Sequence, residues 1–445
     1  MRDCLFAGRL YRKYRGEREM PTKPLRSVVA SVESRTKMRR RSILAKQVEA
    51  LAKKYAAMET TGEPFGTVVI AEMGQKLKER GKDIIFCAES IISTHTPDIV
   101  IDETQRNLRE MAQGQEAPFL GLPELRRSIC DRFQGLYGER VDWRDEVIVT
   151  SGSMQAEYYL MAALINPGDE VVVPVPSFFF DIPVKLARGR CVYLRLQASD
   201  NYHHDERRFE KLITKKTKLI TLCNPHNPTG RVLTSEELAG IAELAIKHDL
   251  FVMHDQVYER IVFDGRPYTP MVKFAREIGD RLISISSFSK LFNMINYRLG
   301  YAIGPPEVIR GMEMIQAFSS MGIPSLLQKG AVPALNRDFE DKHILATIAR
   351  LQKARDYAAA RLGGLEGVSM MKPEGTNLLL IDVSSFGMTS MEFCKYLLRE
   401  AGVACAPGVA YHAEGHVRIS MGSERSEEAI DKIATAIQKL KARGP

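Results

Sequence analysis

The chain has 445 residues, 44% hydrophobic and 27% charged, which suits a globular protein with apolar material for two domain cores. No apolar run reaches the roughly 18 residues of a membrane-spanning helix, so the chain is not expected to cross a bilayer. The net charge of +8 is concentrated at one end: residues 1–60 hold 16 Lys and Arg against 6 Asp and Glu, while the rest holds 47 against 49.

That basic end, taken as residues 1–63, admits three readings. Clustered arginines such as Arg39-Arg40-Arg41 could attract nucleic acid or a membrane surface. A transit peptide is a second reading, but Glu17, Glu19 and Glu33 dilute the acid-poor signature of such segments. The third is a solvated surface extension, flexible or partly helical, and this is the expectation. Leu44, Val48, Leu51 and Tyr55 fall on one helical face, so residues 40–57 can form an amphipathic helix. The seven cysteines are scattered and include no C-x-x-C pair. They predict neither a disulfide framework nor a metal site, and suit a cytoplasmic protein.

From residue 64 the pattern is that of an α/β protein. Short β-branched runs recur at Val147–Thr150, Val171–Val175, Cys191–Leu196, Leu219–Cys223, Leu250–His254, Leu282–Ser286 and Gly300–Ile303. Helical stretches separate several of them, such as Ser235–Lys247 behind a Thr234 cap. Alternation of this kind predicts a mostly parallel seven-stranded sheet covered by helices, with ligands where the strands end. The tail predicts a helix at His343–Leu362, a strand at Leu378–Asp382, a helix at Ser390–Glu400, a strand at Val417–Ser420 and a helix at Glu427–Lys441. The expected division is a large domain over 111–334 and a smaller α+β domain built from 64–110 and 335–445.

Chemistry gathers at the strand ends. Ser287-Phe288-Ser289-Lys290 follows the run ending at Ser286. Desolvation lowers a lysine's pKa and makes it a nucleophile toward an aldehyde. Taken alone this motif is weak, because exposed lysines in serine-rich loops are common. Asn224-Pro225-His226-Asn227-Pro228-Thr229-Gly230 follows another strand, and its prolines stiffen a loop that presents Asn227. Leu250–His254 delivers Asp255, with Tyr258 three residues later. A carboxylate with a phenol nearby is what a protonated pyridine ring and its phenolate oxygen require.

In this order, and together with Gly121–Arg126, Thr150–Ala156 and Pro167–Glu170, these segments resemble the class I/II aminotransferases of pyridoxal 5′-phosphate (PLP) fold type I. The resemblance runs from about residue 64 to the C-terminus. It implies transfer of an amino group between an amino acid and a 2-oxo acid, and a homodimer. It makes Lys290 the Schiff-base lysine and general base, and Asp255 the partner of the pyridine nitrogen. Asn227 and Tyr258 would bond the ring's phenolic oxygen, and Phe178 would stack on its face. Ser153, the Met154 amide, Ser287 and Arg298 would hold the phosphate. Arg418, with Asn227 beside it, would grip the substrate carboxylate.

Four positions depart from the family pattern. Ala88-Glu89-Ser90 stands where Gly-Glu-Pro is usual, and Asn296 replaces a glycine two residues before Arg298, a place for left-handed backbone. Glu116 occupies the position of a tyrosine that reaches the neighbouring subunit. Gly375-Thr376-Asn377-Leu378 is closer to histidinol-phosphate aminotransferase-like sequences. The alternatives kept open are another fold type I outcome (lyase, decarboxylase or cyclase) and, remotely, a PLP-binding transcription regulator. The latter would need a winged helix-turn-helix that residues 1–63 do not offer.

Overall fold

The computed structural model describes residues 66–92, 95–110 and 117–442. The expected helix at 40–57 and Glu116 lie outside them. The chain divides at Thr60/Thr61 into two units, and the architecture below is that of the second.

A helix at Gly66–Glu79 leads to the short strand β1 (Ile85–Phe86). The large sheet follows, from β2 (Val147–Thr150), β3 (Glu170–Val175), β4 (Arg190–Arg195), β5 (Thr217–Cys223), β6 (Phe251–Asp255), β7 (Leu282–Ser287) and β8 (Gly300–Ile303). Their order across the sheet is β2-β8-β7-β6-β5-β3-β4. All neighbouring pairs are parallel except those made by β8, which runs antiparallel to β7 and β2. Parallel pairing demands crossovers, and the intervening helices supply them while covering both faces. Six of the strands are accordingly buried along nearly their whole length, with Val147, Val171, Leu219, Val252 and Ile283 fully enclosed, while the edge strand β4 is largely half-exposed.

Local sequence explains the helix ends. Ser235–His248 starts where the Thr234 hydroxyl accepts from the Glu237 amide and the Glu237 carboxylate accepts from the Thr234 amide, a reciprocal cap. The long helix Arg337–Leu362 starts at Asn336, whose side chain accepts from the Asp338 and Phe339 amides. It begins six residues before the expected start at His343.

The C-terminal part forms a four-stranded sheet from β9 (Ser369–Met370), β10 (Leu378–Asp382), β12 (Ala406–Pro407) and β13 (His416–Ser420), ordered β12-β13-β10-β9. The strand β11 (Val403–Ala404) pairs instead with β1. Ile70, Ile84 and Ile85 are buried in one core with Leu379, Phe393, Ile419 and Ile433. The start of the described chain therefore folds onto its end. Val100, on the helix Asp98–Glu110, instead joins the core beside the large sheet. Among the described residues no helix is long and apolar enough to cross a membrane.

Candidate active site

Asp255 is the last residue of β6, Asn227 lies in the loop after β5, and Lys290 sits in a short helix that opens straight off β7. The helix Ser153–Leu164 begins three residues after β2, and Phe178 follows β3 by the same interval. Arg298 stands just before β8, whose reversed direction brings its start to the edge where the parallel strands end. That edge is where open α/β sheets take ligands. From the second sheet, β13 adds Arg418.

All ten residues singled out from the sequence (Ser153, Met154, Phe178, Asn227, Asp255, Tyr258, Ser287, Lys290, Arg298 and Arg418) line a single cavity of about 250 Å3. Its floor is tied together across the chain. The Asn224 amide donates to the Asp255 carbonyl at 3.0 Å, which fixes the 224–230 loop to the end of β6. The Val257 amide donates to the Asp255 carboxylate at 3.1 Å. Tyr258 shares a short hydrogen bond with the Ser90 hydroxyl, and the Lys290 amine donates to the Ser90 carbonyl.

Arg418 is 2% exposed. One terminal nitrogen donates to the Asn227 side chain at 3.1 Å and the other to the Ala88 carbonyl at 2.7 Å. The guanidinium lies 4.4 Å from the centre of the Tyr411 ring. Its Nε is buried with no protein partner. A buried guanidinium is costly unless an anion meets it, so this geometry is suited to a carboxylate.

At the opposite end the backbone is shaped for an anion. Gly152 has φ 76°, and a Cβ there would come within 2.6 Å of an Arg298 terminal nitrogen. Gly300 is equally constrained, since a Cβ would lie 2.5 Å from the Gly152 carbonyl carbon. Two glycines thus let Arg298 close on the start of the helix Ser153–Leu164, where backbone amides and the helix dipole favour a phosphate.

The electrostatics separate two titrating groups. Desolvation, then Arg418 and Arg298, draws the Lys290 amine down to about 7, against opposing pulls from Glu89 and Asp255. Desolvation pushes the Asp255 carboxyl up to about 7, with the Val257 amide pulling the other way. Burial raises the Tyr258 phenol, which the Ser90 bond partly offsets. A lysine neutral near physiological pH and an acid poised to meet a cationic ring are the two features that PLP chemistry asks of a protein. With the anion cradle, they fit that cofactor.

The sequence reading did not place Thr67, Ile295 and Tyr411 at the cavity. It noted Ser90 only as a departure from a pattern. Their contacts close over large separations, 168 residues for Ser90 with Tyr258 and 344 for Thr67 with Tyr411, so no local motif marks them. Glu157 was also missed: its carboxyl is 2% exposed beside Asp255, and burial followed by that neighbour holds its pKa well above the usual range. One expectation is corrected. The left-handed backbone near the phosphate arginine falls at Asn293 and at Arg298 itself, not at Asn296, which lies in the single 3-10 turn Ile295–Tyr297.

The model of the family described as aminotransferase class I and II matches residues 88–437. A probable aspartate/prephenate aminotransferase of Thermus aquaticus is 32% identical over 383 residues, covering 84% of this chain and 97% of that protein. An aspartate aminotransferase of Bacillus subtilis is 29% identical and covers 87% and 99%. Among solved structures, the aspartate aminotransferase of Thermus thermophilus with maleate superposes with a TM-score of 0.80 at 29% identity, covering 87% and 98%. The chain belongs to the class I and II aminotransferase family, and it is an aminotransferase of fold type I.

Proposed function

We propose that the chain binds pyridoxal 5′-phosphate in this cavity and moves amino groups between an amino acid and a 2-oxo acid. The observation that carries the reading is the meeting on one cavity of Asp255 and Lys290, from the ends of β6 and β7, with Arg418 from the middle of β13. When bound, the cofactor supplies an aldehyde for the lysine and an electron-accepting ring. Asp255, as a carboxylate, would keep the ring nitrogen protonated. Asn227 and Tyr258 would donate to its phenolic oxygen, and Phe178 would cover one face. Ser153, the Met154 amide, Ser287 and Arg298 would hold the phosphate. Arg418 would fix the substrate carboxylate, leaving the Lys290 amine to take the proton from the substrate Cα.

A homodimer belongs to the same reading. The helices Ser153–Leu164 and Pro306–Ser319 pack on each other, joined by the Tyr159 hydroxyl and Ser319 at 2.6 Å, and they expose Tyr158, Met314 and Phe318. Phe318 is 87% exposed, a large apolar side chain suited to a protein partner. Cavity-lining Met154, on the first of these helices, is half exposed, so a second copy there would border the cavity mouth. A cytoplasmic location suits the six free cysteines among the described residues. Residues 66–87 share a core with 354–437, which favours a small domain assembled from both flanks of the large one.

The test is a visible-absorbance titration of PLP-loaded protein with single amino acids and no oxo acid. Loss of the lysine-bound cofactor's band, with stoichiometric release of a 2-oxo acid, is expected. A persistent band with an amine or other non-oxo product would transfer the site to lyase or decarboxylase chemistry.

A further inference from the structure

Resting on the transaminase reading above, we infer that the cavity selects amino donors with neutral apolar side chains, aromatic or long aliphatic, over aspartate and glutamate. The argument begins with a charge inventory. Among the described residues that line the cavity, the cations are Lys290, Arg298 and Arg418. Each already has a position that fixes its use. Lys290 is the amine reserved for the cofactor's aldehyde, and it donates to the Ser90 carbonyl. Arg298 closes on Gly152 and donates to the Ser289 hydroxyl at 3.4 Å, at the start of the helix where an anionic group of the cofactor is favoured. Arg418 is committed to a carboxylate by its burial and its unpartnered Nε. A dicarboxylic donor brings a second carboxylate, and the described residues of this protomer's lining offer no fourth cation to receive it. The acids of the lining are Asp255, assigned above to the ring nitrogen, and Glu89, an exposed carboxylate that would repel it.

The lining hydroxyls of Thr67 and Ser90 are bonded to Tyr411 and Tyr258, and Ser153, Ser287 and Ser289 lie at the phosphate end. The surface left for a donor side chain is largely apolar and begins beside the carboxylate fork. The Arg418 guanidinium lies on the Tyr411 ring, and the Phe179 ring stacks on Tyr411 with centroids 5.6 Å apart and planes 18° from parallel. The Tyr411 hydroxyl is engaged with Thr67 at 3.3 Å and the residue is 1% exposed, so it backs the wall and the half-buried Phe179 ring is the aromatic surface beside the fork. Met154 and Ile295 complete the wall. Met154 is 49% exposed, and its unbranched thioether can adapt to side chains of different shape. A donor held by its α-carboxylate on Arg418 therefore meets an aromatic ring and a methionine. An ionised distal group there would lose water without gaining a partner.

Two measurements on the PLP-loaded full chain test this. Calorimetry compares 3-phenylpropanoate with succinate, amine-free analogues that bind without reacting. Single-turnover absorbance compares L-phenylalanine and L-leucine with L-aspartate and L-glutamate. At least tenfold tighter binding of 3-phenylpropanoate is expected, with at least tenfold higher rate constants per unit concentration for the apolar donors. Met154→Lys places a cation on the wall while keeping the backbone amide. It is expected to raise the aspartate rate constant at least tenfold, with the lysine-bound cofactor band intact. Equal or better binding of succinate, or equal or faster reaction of aspartate or glutamate, overturns the inference even where Met154→Lys does not fold. If apolar and acidic donors alike leave the band unchanged, while the analogues still bind as expected, the transaminase reading fails and the apolar-ligand preference stands as a property of the cavity.

Discussion

At the scale of single residues, the site is defined by groups whose surroundings displace their proton affinities. Asp255 is pushed up to about 7 from 3.8. In the folded, cofactor-free protein it holds a proton that the unfolded chain has already released, so its contribution to stability falls as pH rises from about 4 to about 7 and stays low above that. Asp255→Asn has no such loss. The variant's melting temperature minus that of the parent is thus expected to grow across pH 4 to 7 and then level off, measured by thermal unfolding without cofactor. A difference that stays flat would show that Asp255 is not desolvated as described. Lys290 works in the opposite sense, because its amine is neutral in the fold above about 7 and charged in the unfolded chain up to 10.5. Lys290→Ala is expected to abolish the lysine-bound absorbance band and lower turnover by roughly 10²–10⁴-fold, the scale of a lost general base, with the fold retained by circular dichroism. These residues were legible in the sequence because chemistry restricts them: a lysine, an acid and an arginine in fixed order after β-branched runs have few other uses. Ser90, Tyr411 and Glu157 were not legible, since serine, tyrosine and glutamate are ordinary residues until the fold brings them to the cavity.

At the scale of elements, apolar periodicity was sufficient for the large sheet. All seven strands fall where the β-branched runs lie, displaced by two residues at most, because parallel strands buried on both faces read as continuous apolar runs. The short strands β1, β9, β11 and β12, of two residues each, carry no period and were invisible. Equally unreadable was the ionic cluster that braces the segment after β6. Arg132 donates to Glu259 and to Glu340, each at 2.9 Å, with all three side chains buried. Glu259 also receives the Tyr137 hydroxyl, and Glu340 receives Arg260. These partners lie 127 and 208 residues from Arg132, and nothing local announces them. Glu259 follows Tyr258 directly, so the cluster anchors the backbone that carries a site residue. Arg132→Met leaves Glu259 without its guanidinium in a dry interior. It is expected to cost about 3–5 kcal/mol, read as a lowered urea midpoint. For comparison, Thr234→Ala at the capped helix should cost about 1 kcal/mol. A loss for Arg132→Met no larger than that of the cap would mean water reaches the cluster.

At the scale of the whole molecule, the question is how much of the chain the enzyme needs. The chain divides at Thr60/Thr61, and the family match begins at residue 88. The charge divides at the same place: residues 1–60 carry a surplus of 10 positive charges, and the remainder is within 2 charges of neutral. Surplus charge of that density governs adhesion to polyanions rather than folding. Deletion of residues 1–60 is thus expected to leave the melting temperature and the single-turnover rate constants unchanged. Retention on heparin should fall sharply, with elution moving to lower salt. A rate constant that drops together with intact cofactor absorbance would mean instead that turnover depends on the basic segment. Neutralising Arg39, Arg40 and Arg41 in the full-length chain separates the two outcomes, since adhesion follows charge whereas the dependence of turnover would follow the presence of the segment.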